Sequence, residues 1–379
     1  MPGLSGCLVV RNGKNSVVKC LDALLPLVNE YVVIDTGSTD GTMELVSGWI
    51  KAHPRSRVVT EEVGKKFHDE DGIFDFGAAK NYALSMATCQ YVLWVDVNDE
   101  VTRGAEVRKA FEKIVNRIPN ASITMLTEVD KAFAFPRVRI APRAFASFCG
   151  SIHEYMTNSA PDYQVVTTRF RIRNYKSYRD VSRNVKALMK EWSHSHNQRT
   201  AFYMGNSARD MNDFATALDW YVVTVDEFPD MSNEERAKSM ESICDIALRD
   251  NMLDILDDRS RQLIAEVPDR PEGYFYRAKY QYAVGNYAMA AKCMKQLLKL
   301  NVKVRPTHMW INPEIYDRKR HMEMLKEVET KAMYSNMEPI APCIEDASVA
   351  MAGGQYVGRM AQQQSYGGFG TMLSQNINW

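Results

Sequence analysis

Short apolar runs alternate with amphipathic segments over roughly the first 180 residues. The runs at 6–10, 31–34, 57–59 and 91–95 are rich in β-branched and aromatic residues, which predicts buried strands. The segments at 16–27, 42–51 and 77–87 have helical spacing. Strands that alternate with helices predict a mostly parallel α/β sheet, in which ligands bind at the carboxyl ends of the strands.

From about residue 181 to residue 333 the apolar pattern is helical throughout. A similar helix start recurs after Asn212, Asn251 and Asn286, at spacings of 39 and 35 residues. Repeats of this length predict stacked helix pairs of the tetratricopeptide type, and an irregular helical domain is the alternative. We therefore predict domains at 1–180 and 181–333, followed at 334–379 by a low-charge tail rich in glycine and glutamine.

The strand at 91–95 runs directly into the polar residues Asp96, Asn98, Asp99 and Glu100. Carboxylates this close together repel one another unless a cation lies between them, and a divalent ion with oxygen ligands is one solution. A helix N-terminus that favours acidic residues is the other. Taken alone, this stretch supports the two interpretations equally.

The second strand ends in the sequence DTGSTDGT, which begins at Asp35. An acidic residue at this position can accept hydrogen bonds from the base or ribose of a nucleoside, while Thr36, Ser38 and Asp40 shape the turn. An ordinary strand-to-helix turn, with Asp40 or Thr42 as the helix cap, is the alternative.

The composition narrows the classes of partner. Among 379 residues there are 47 Lys plus Arg and 47 Asp plus Glu, so no global charge indicates a nucleic acid or membrane partner. The seven cysteines never form a CxxC pair, which predicts reduced thiols and a cytoplasmic location. No apolar run approaches ~20 residues, and the first residues lack the pattern of a signal peptide, so we expect no membrane insertion.

Four stretches together carry a family resemblance. VVIDTGSTDGT, FDFGAAKNYAL, LWVDVNDE and FCGSIHEYM occur in the order and approximate spacing of the GT-A domain of family 2 glycosyltransferases. The chain most resembles the branch in which this domain precedes tetratricopeptide-like helices, a branch that includes the glycocin S-glycosyltransferases. The resemblance covers about residues 4–330. It implies an inverting enzyme that uses a nucleotide-sugar donor, with a UDP-sugar as the first expectation, and a divalent Mn²⁺ or Mg²⁺ ion.

The resemblance also implies roles for individual residues at the donor. It places Asp35 and Thr36, with the turn residues Ser38 and Asp40, at the nucleotide. Lys80 and Asn81 stand where the family usually has Arg-Asn beside the nucleotide sugar. Lysine is a departure, because it offers a point charge where arginine offers a planar fork.

For the metal and the chemistry, the resemblance implies a second set of residues. Asp96 and Asn98 fall on the metal-binding DxD motif, and His153 can complete the metal site. Asn98 departs from the motif, because an amide oxygen brings no charge to a divalent ion, so Asp99 is the substitute ligand. Glu154 is the expected general base, with Asp75 and Glu100 as alternatives.

The leading hypothesis is therefore sugar transfer to a macromolecular acceptor, either a protein or peptide or a glycan. A hydroxylated base of DNA is an alternative acceptor, since basic and aromatic residues interleave at 169–180. An edge strand whose alternate residues face solvent, with one or two of the cations holding the donor diphosphate, explains this string more simply. A nucleotidyltransferase and a catalytically inactive helical-repeat binding protein are alternatives of other classes. The helical segment could also form a homodimer.

Overall fold

The computed structural model describes residues 2–128, 134–175, 181–229, 233–300 and 312–335. The described residues up to Ala332 form one compact unit. The predicted tail at 334–379 lies outside the described residues, apart from the last two residues of the final helix. Residues 176–180 of the basic and aromatic string also lie outside them.

The first half of the chain is built on a twisted, mixed sheet. The strands of this sheet are β1 Leu4–Val10, β2 Glu30–Asp35, β3 Arg57–Glu62, β4 Tyr91–Trp94, β5 Asp99–Val101, β6 Ser122–Glu128, β7 Ala134–Pro142 and β10 Val165–Asn174. Strands β8 Ala146–Cys149 and β9 Tyr155–Asn158 form a separate hairpin. Within the described part of the chain, the main sheet has the order β3-β2-β1-β4-β7-β6-β10-β5. Strands β1 to β4 are parallel, and β7 runs antiparallel to β4.

Helices cover both faces of this sheet. They are α1 Val17–Leu24, α2 Thr42–Ala52, α3 Phe76–Met86 and α4 Gly104–Arg117. On β2, Val33 joins the core cluster shared with α1, α2 and α4, whereas Val32 and Ile34 join the cluster shared with α3 and the β8–β9 hairpin. Burial on both faces explains why the strands have continuous apolar sequences.

The rest of the described chain contains helices and one 3₁₀ turn. They are α5 Val181–His194, α6 Gln198–Asp210, α7 Phe214–Asp226, α8 Asn233–Arg249, α9 Leu253–Glu266, α10 Pro271–Ala283, α11 Tyr287–Lys299, the 3₁₀ turn Pro313–Tyr316 and α12 Arg318–Ser335. This confirms the predicted fold class, a mostly parallel α/β domain followed by an all-α segment. Within the ranges described, no helix is long and apolar enough to cross a bilayer.

The three repeated helix starts are also confirmed. Asn212, Asn251 and Gly285 have positive φ angles of 61°, 56° and 80°. In each case a helix, α7, α9 or α11, begins two residues later. Asparagine and glycine tolerate this left-handed conformation, which turns the chain sharply between the two helices of a pair. The domain boundaries at 180 and 333 stay predictions.

Candidate active site

The carboxyl end of β2 carries a turn that is tied together by its own side chains. Asp35 is 2% exposed, and its carboxylate accepts hydrogen bonds from the backbone N–H groups of Gly37 (3.1 Å) and Ser38 (3.0 Å). The Ser38 hydroxyl donates to Asp35 as well. Thr36 donates its hydroxyl to the carbonyl oxygen of Val10 at 3.2 Å. These bonds give the turn a fixed shape before any ligand binds.

The loop after β1 packs against this turn, and the sequence analysis did not identify it. The backbone N–H of Asn12 donates to the Ser38 hydroxyl (2.9 Å), and that of Lys14 donates to Asp40 (3.1 Å). The pKa of Asp40 is lowered, chiefly by the hydrogen bond from the Thr42 hydroxyl. The adjacent sequence RNGK, with its glycine after a strand, is the signal that could have indicated a functional loop.

Beyond β4, a buried lysine lies between two carboxylates. Lys80, on α3, is 7% exposed, and its Nζ lies 3.4 Å from Asp96 Oδ1 and 2.5 Å from Glu154 Oε1. The aromatic rings of Trp94 and Phe148 lie 4.5 Å and 5.1 Å from the same ammonium group. We call these five residues the Lys80 cluster. The tertiary structure thus brings together three residues that the motifs had placed at the donor, the metal and the base.

The other polar residues after β4 each contact a different side chain. Asp99 is 2% exposed, pairs with Arg139 at 3.1 Å and accepts from Asn174 at 2.6 Å. Asn98 accepts the Ser16 hydroxyl at 2.9 Å through its side-chain oxygen. Glu100 lies 3.0 Å from Lys19, and its pKa is lowered, first by the hydrogen bond from Tyr175.

The loop that carries His153 and Glu154 is held by the helical segment. The His153 ring stacks on Tyr203 of α6 with ring centres 3.9 Å apart and planes at 6°. Its carbonyl oxygen accepts from Arg199 of α6 at 2.9 Å. Two residues earlier in the loop, the Ser151 hydroxyl donates to Glu191 of α5 at 2.8 Å. The position of Glu154 therefore depends on residues far along the chain.

Two predicted site residues have clear roles within the fold. The Asn81 side chain donates to the carbonyl oxygen of Phe148 (2.9 Å) and accepts its backbone N–H (2.7 Å), so it fixes β8 against α3. Asp75 caps the N-terminus of α3 by accepting the N–H of Ala78 at 2.8 Å. A Cβ on Gly77 would clash with the Gly150 carbonyl oxygen, so the start of α3 lies directly against the 150–154 loop.

The residues predicted as metal ligands do not fit a divalent ion in this geometry. Among the residues that the structure describes, no group of three or more His, Cys, Asp or Glu side chains is arranged to hold a metal ion. The physical reason lies in the contacts of the four residues. Asp96 faces Lys80, Asp99 is paired with Arg139, Asn98 accepts from Ser16, and His153 is stacked on Tyr203.

Arg137 adds a cation that the sequence analysis did not assign to the site. It lies on β7 with its side chain exposed and its guanidinium 4.8 Å from the centre of the Phe135 ring. Asp96 and Glu154 are near enough to interact with its charge. The basic string around RVRIAPR was the signal for such a residue.

A cleft of about 1100 Å³ lies beside the 150–154 loop. The start of α3, the β8–β9 loop and helices α5 and α6 line it, with Asp75, Tyr155, Lys190 and Arg199 among the lining residues. Tyr155 is 46% exposed, and the Arg199 guanidinium lies 4.6 Å from the centre of its ring. The cleft is large enough for part of an extended chain.

Comparisons with known proteins give a family match and a curated relative. Residues 5–124 match the model of the family described as glycosyl transferase family 2. A TPR repeat-containing protein of Synechococcus elongatus is 29% identical over 144 residues, which is 37% of this chain and 31% of the relative. The chain thus spans about a third of the length of that curated relative. The matched residues contain three of the four sequence stretches, whereas FCGSIHEYM at 148–156 lies outside them.

Solved structures give similar but distant matches. The first 349 residues of S. aureus TarS are 14% identical with a TM-score of 0.38, covering 79% of this chain and 90% of that one. The mannosyltransferase PcManGT from Pyrobaculum calidifontis, solved with GDP-Man and Mn²⁺, is 15% identical with a TM-score of 0.36, covering 65% and 81%. The TPR2B domain of yeast Sti1 is 16% identical with a TM-score of 0.29, covering 37% and 99%.

Proposed function

We propose that this protein is an inverting glycosyltransferase that uses a nucleotide-sugar donor. One observation carries the proposal: the segment that matches the glycosyl transferase family 2 model contains Asp35, Lys80 and Asp96. Asp35 and Asp96 lie at the carboxyl ends of the parallel strands β2 and β4, and Lys80 faces Asp96 from α3. That edge of a parallel sheet is the common place for a nucleotide. A UDP-sugar is the first donor to test. The narrower resemblance to glycocin S-glycosyltransferases stays a prediction.

In the proposed reaction, an acceptor hydroxyl or thiol attacks the anomeric carbon of the donor sugar. The new bond forms as the bond from that carbon to the diphosphate oxygen breaks, and the electron pair leaves with the nucleoside diphosphate. Glu154 takes the proton of the acceptor, and Lys80 holds the Glu154 carboxylate in place at 2.5 Å. Attack from the face opposite the leaving group inverts the anomeric configuration.

The proposed acceptor is a macromolecule that enters the cleft beside the 150–154 loop, either a protein or peptide or a glycan. The exposed Tyr155 supports this proposal, because an aromatic ring can stack on a sugar or a side chain. DNA is less well supported, since two arginines of the basic string are already paired. Arg171 and Arg173 lie 2.9 Å and 3.5 Å from Glu128 on the neighbouring strand β6.

Donor binding and turnover test this function. A thermal-shift screen of nucleotide sugars should identify one that stabilises the protein, and the same donor should then be hydrolysed slowly when no acceptor is present. We expect Asp96→Ala to lower this hydrolysis at least about a hundredfold, because Asp96 orients Lys80. If a donor stabilises the wild-type protein but is not hydrolysed by it, the result would favour the catalytically inactive binding protein.

A further inference from the structure

The ammonium group of Lys80 lies where a cation would be needed between the site carboxylates. Burying a lone charge is costly, so a lysine at 7% exposure needs compensation. Asp96 and Glu154 supply it from two sides, and the rings of Trp94 and Phe148 lie 4.5 Å and 5.1 Å from the same group. The protein thus carries a fixed positive charge at the end of β4.

A divalent ion would have to compete with this lysine for the same oxygens. Asp96 Oδ1 also accepts the indole N–H of Trp94 at 3.2 Å, which fixes its direction toward the cluster. The nearby oxygens that could replace it are engaged, since Asn98 accepts from Ser16 and Asp99 is paired with Arg139. An ion would therefore need to break several contacts before it gained three ligands.

We propose that Lys80 itself supplies the positive charge that a divalent ion would otherwise supply, and that the protein binds its nucleotide without a metal. The role at the leaving diphosphate rests on the proposed function. When the bond to the anomeric carbon breaks, negative charge grows on the diphosphate oxygen, and the ammonium group of Lys80 can stabilise it. No proton transfer from Lys80 is required.

A metal titration that needs no nucleotide tests the first half of this proposal. Mn²⁺ binding to the free protein is measured by electron paramagnetic resonance for the wild type, Lys80→Met and Lys238→Met. Lys238 is a matched control because it is also buried, at 5% exposure, and pairs with Glu241 at 2.8 Å within the helical segment. We expect Mn²⁺ to bind more tightly to Lys80→Met than to the wild type or Lys238→Met, because only Lys80→Met frees Asp96 and Glu154 from the ammonium group.

A wild-type protein that binds one Mn²⁺ per chain as tightly as Lys80→Met would overturn the proposal. If Lys80→Met does not fold, Lys80→Arg replaces it in a second measurement. The fold then retains a cation, and Mn²⁺ binding should stay as weak as in the wild type. Tight binding to the wild type and to Lys80→Arg would again contradict the proposal.

Calorimetry with UDP tests the second half. We expect the dissociation constant of the wild type to be the same in EDTA and in Mn²⁺, and that of Lys80→Met to be at least about tenfold weaker in EDTA. UDP binding that requires Mn²⁺ in the wild type would show that the protein uses a metal. If UDP fails to bind under both conditions, the donor assignment is wrong, whereas the Mn²⁺ titration still decides the question of the cation.

Discussion

At the residue scale, each of the three carboxylates that follow β4 lies beside a different cation. Asp96 faces Lys80, Asp99 faces Arg139 and Glu100 faces Lys19, at distances between 3.0 and 3.4 Å. In this structure, separate ion pairs relieve the repulsion that the sequence indicated. Asn81 has a structural role, because its side chain makes hydrogen bonds to both backbone groups of Phe148.

Asn81→Ala tests that role. We expect the variant to lose about 1–3 kcal/mol of unfolding free energy, because the backbone N–H and carbonyl groups of Phe148 lose their partner. Its Tm should fall by several degrees, while UDP affinity, measured by calorimetry below that Tm, should change less than about threefold. A large loss of affinity with an unchanged Tm would return Asn81 to the donor site that the family resemblance implied.

At the element scale, a buried glutamate connects three elements of the sheet. Glu30 of β2 accepts the Ser5 hydroxyl of β1 at 2.5 Å and both the N–H and the hydroxyl of Thr88, which precedes β4. Burial by itself would raise the pKa of Glu30, but these hydrogen bonds and Arg57 outweigh it, so the net shift is downward. The contacts favour the charged form of Glu30 and connect the amino-terminal ends of the parallel strands β1, β2 and β4.

This shift predicts how stability depends on pH. A group whose pKa is lowered on folding contributes stability above its unfolded pKa of about 4.3, and the contribution is lost as pH falls through the folded pKa. Glu30→Gln should therefore be about 1–3 kcal/mol less stable than the wild type at pH 7, and the difference should shrink in acid. Urea unfolding at pH 7 and in acid measures this difference in stability, and Glu62→Gln, at an exposed glutamate, is the control. A difference that does not change with pH would argue against a charged Glu30.

At the scale of the whole molecule, the helical segment supports the loop that carries Glu154. Arg199 donates to the His153 carbonyl oxygen and pairs with Glu235 of α8 at 2.7 Å, so it joins the loop to two helices. The His153 and Tyr203 rings add a stacked contact. These contacts give the helices a role in positioning the proposed base.

Arg199→Ala tests this positioning role. We expect faster amide hydrogen exchange in residues 150–154 and donor hydrolysis lower by about tenfold, since a misplaced base costs on the order of 1.4 kcal/mol or more in the barrier. UDP affinity should hold, which separates positioning from donor binding. Arg209→Ala is the matched control, because Arg209 lies on the same helix and pairs with Asp245 inside the helical segment. Equal effects of the two substitutions would indicate a general loss of stability.

The sequence by itself determined the local structure. Continuous apolar runs predicted β1, β2 and β4, because strands buried on both faces need them, and the left-handed turns at Asn212 and Asn251 marked the paired helices. The turn that begins at Asp35 was also predictable, since its hydrogen bonds connect residues within three positions of one another. Patterns of this kind are local, so neighbouring residues are enough to specify them.

Only the tertiary structure decided which partner each charged side chain received. Lys80 meets Glu154 although 74 positions separate them, and Arg139 meets Asp99 across the sheet. The apolar alternation of a strand specifies which face is buried, but it carries no information on which strand or helix supplies the neighbouring charge. That choice depends on strand order and on the helical segment, and it places a lysine between two of the predicted site carboxylates.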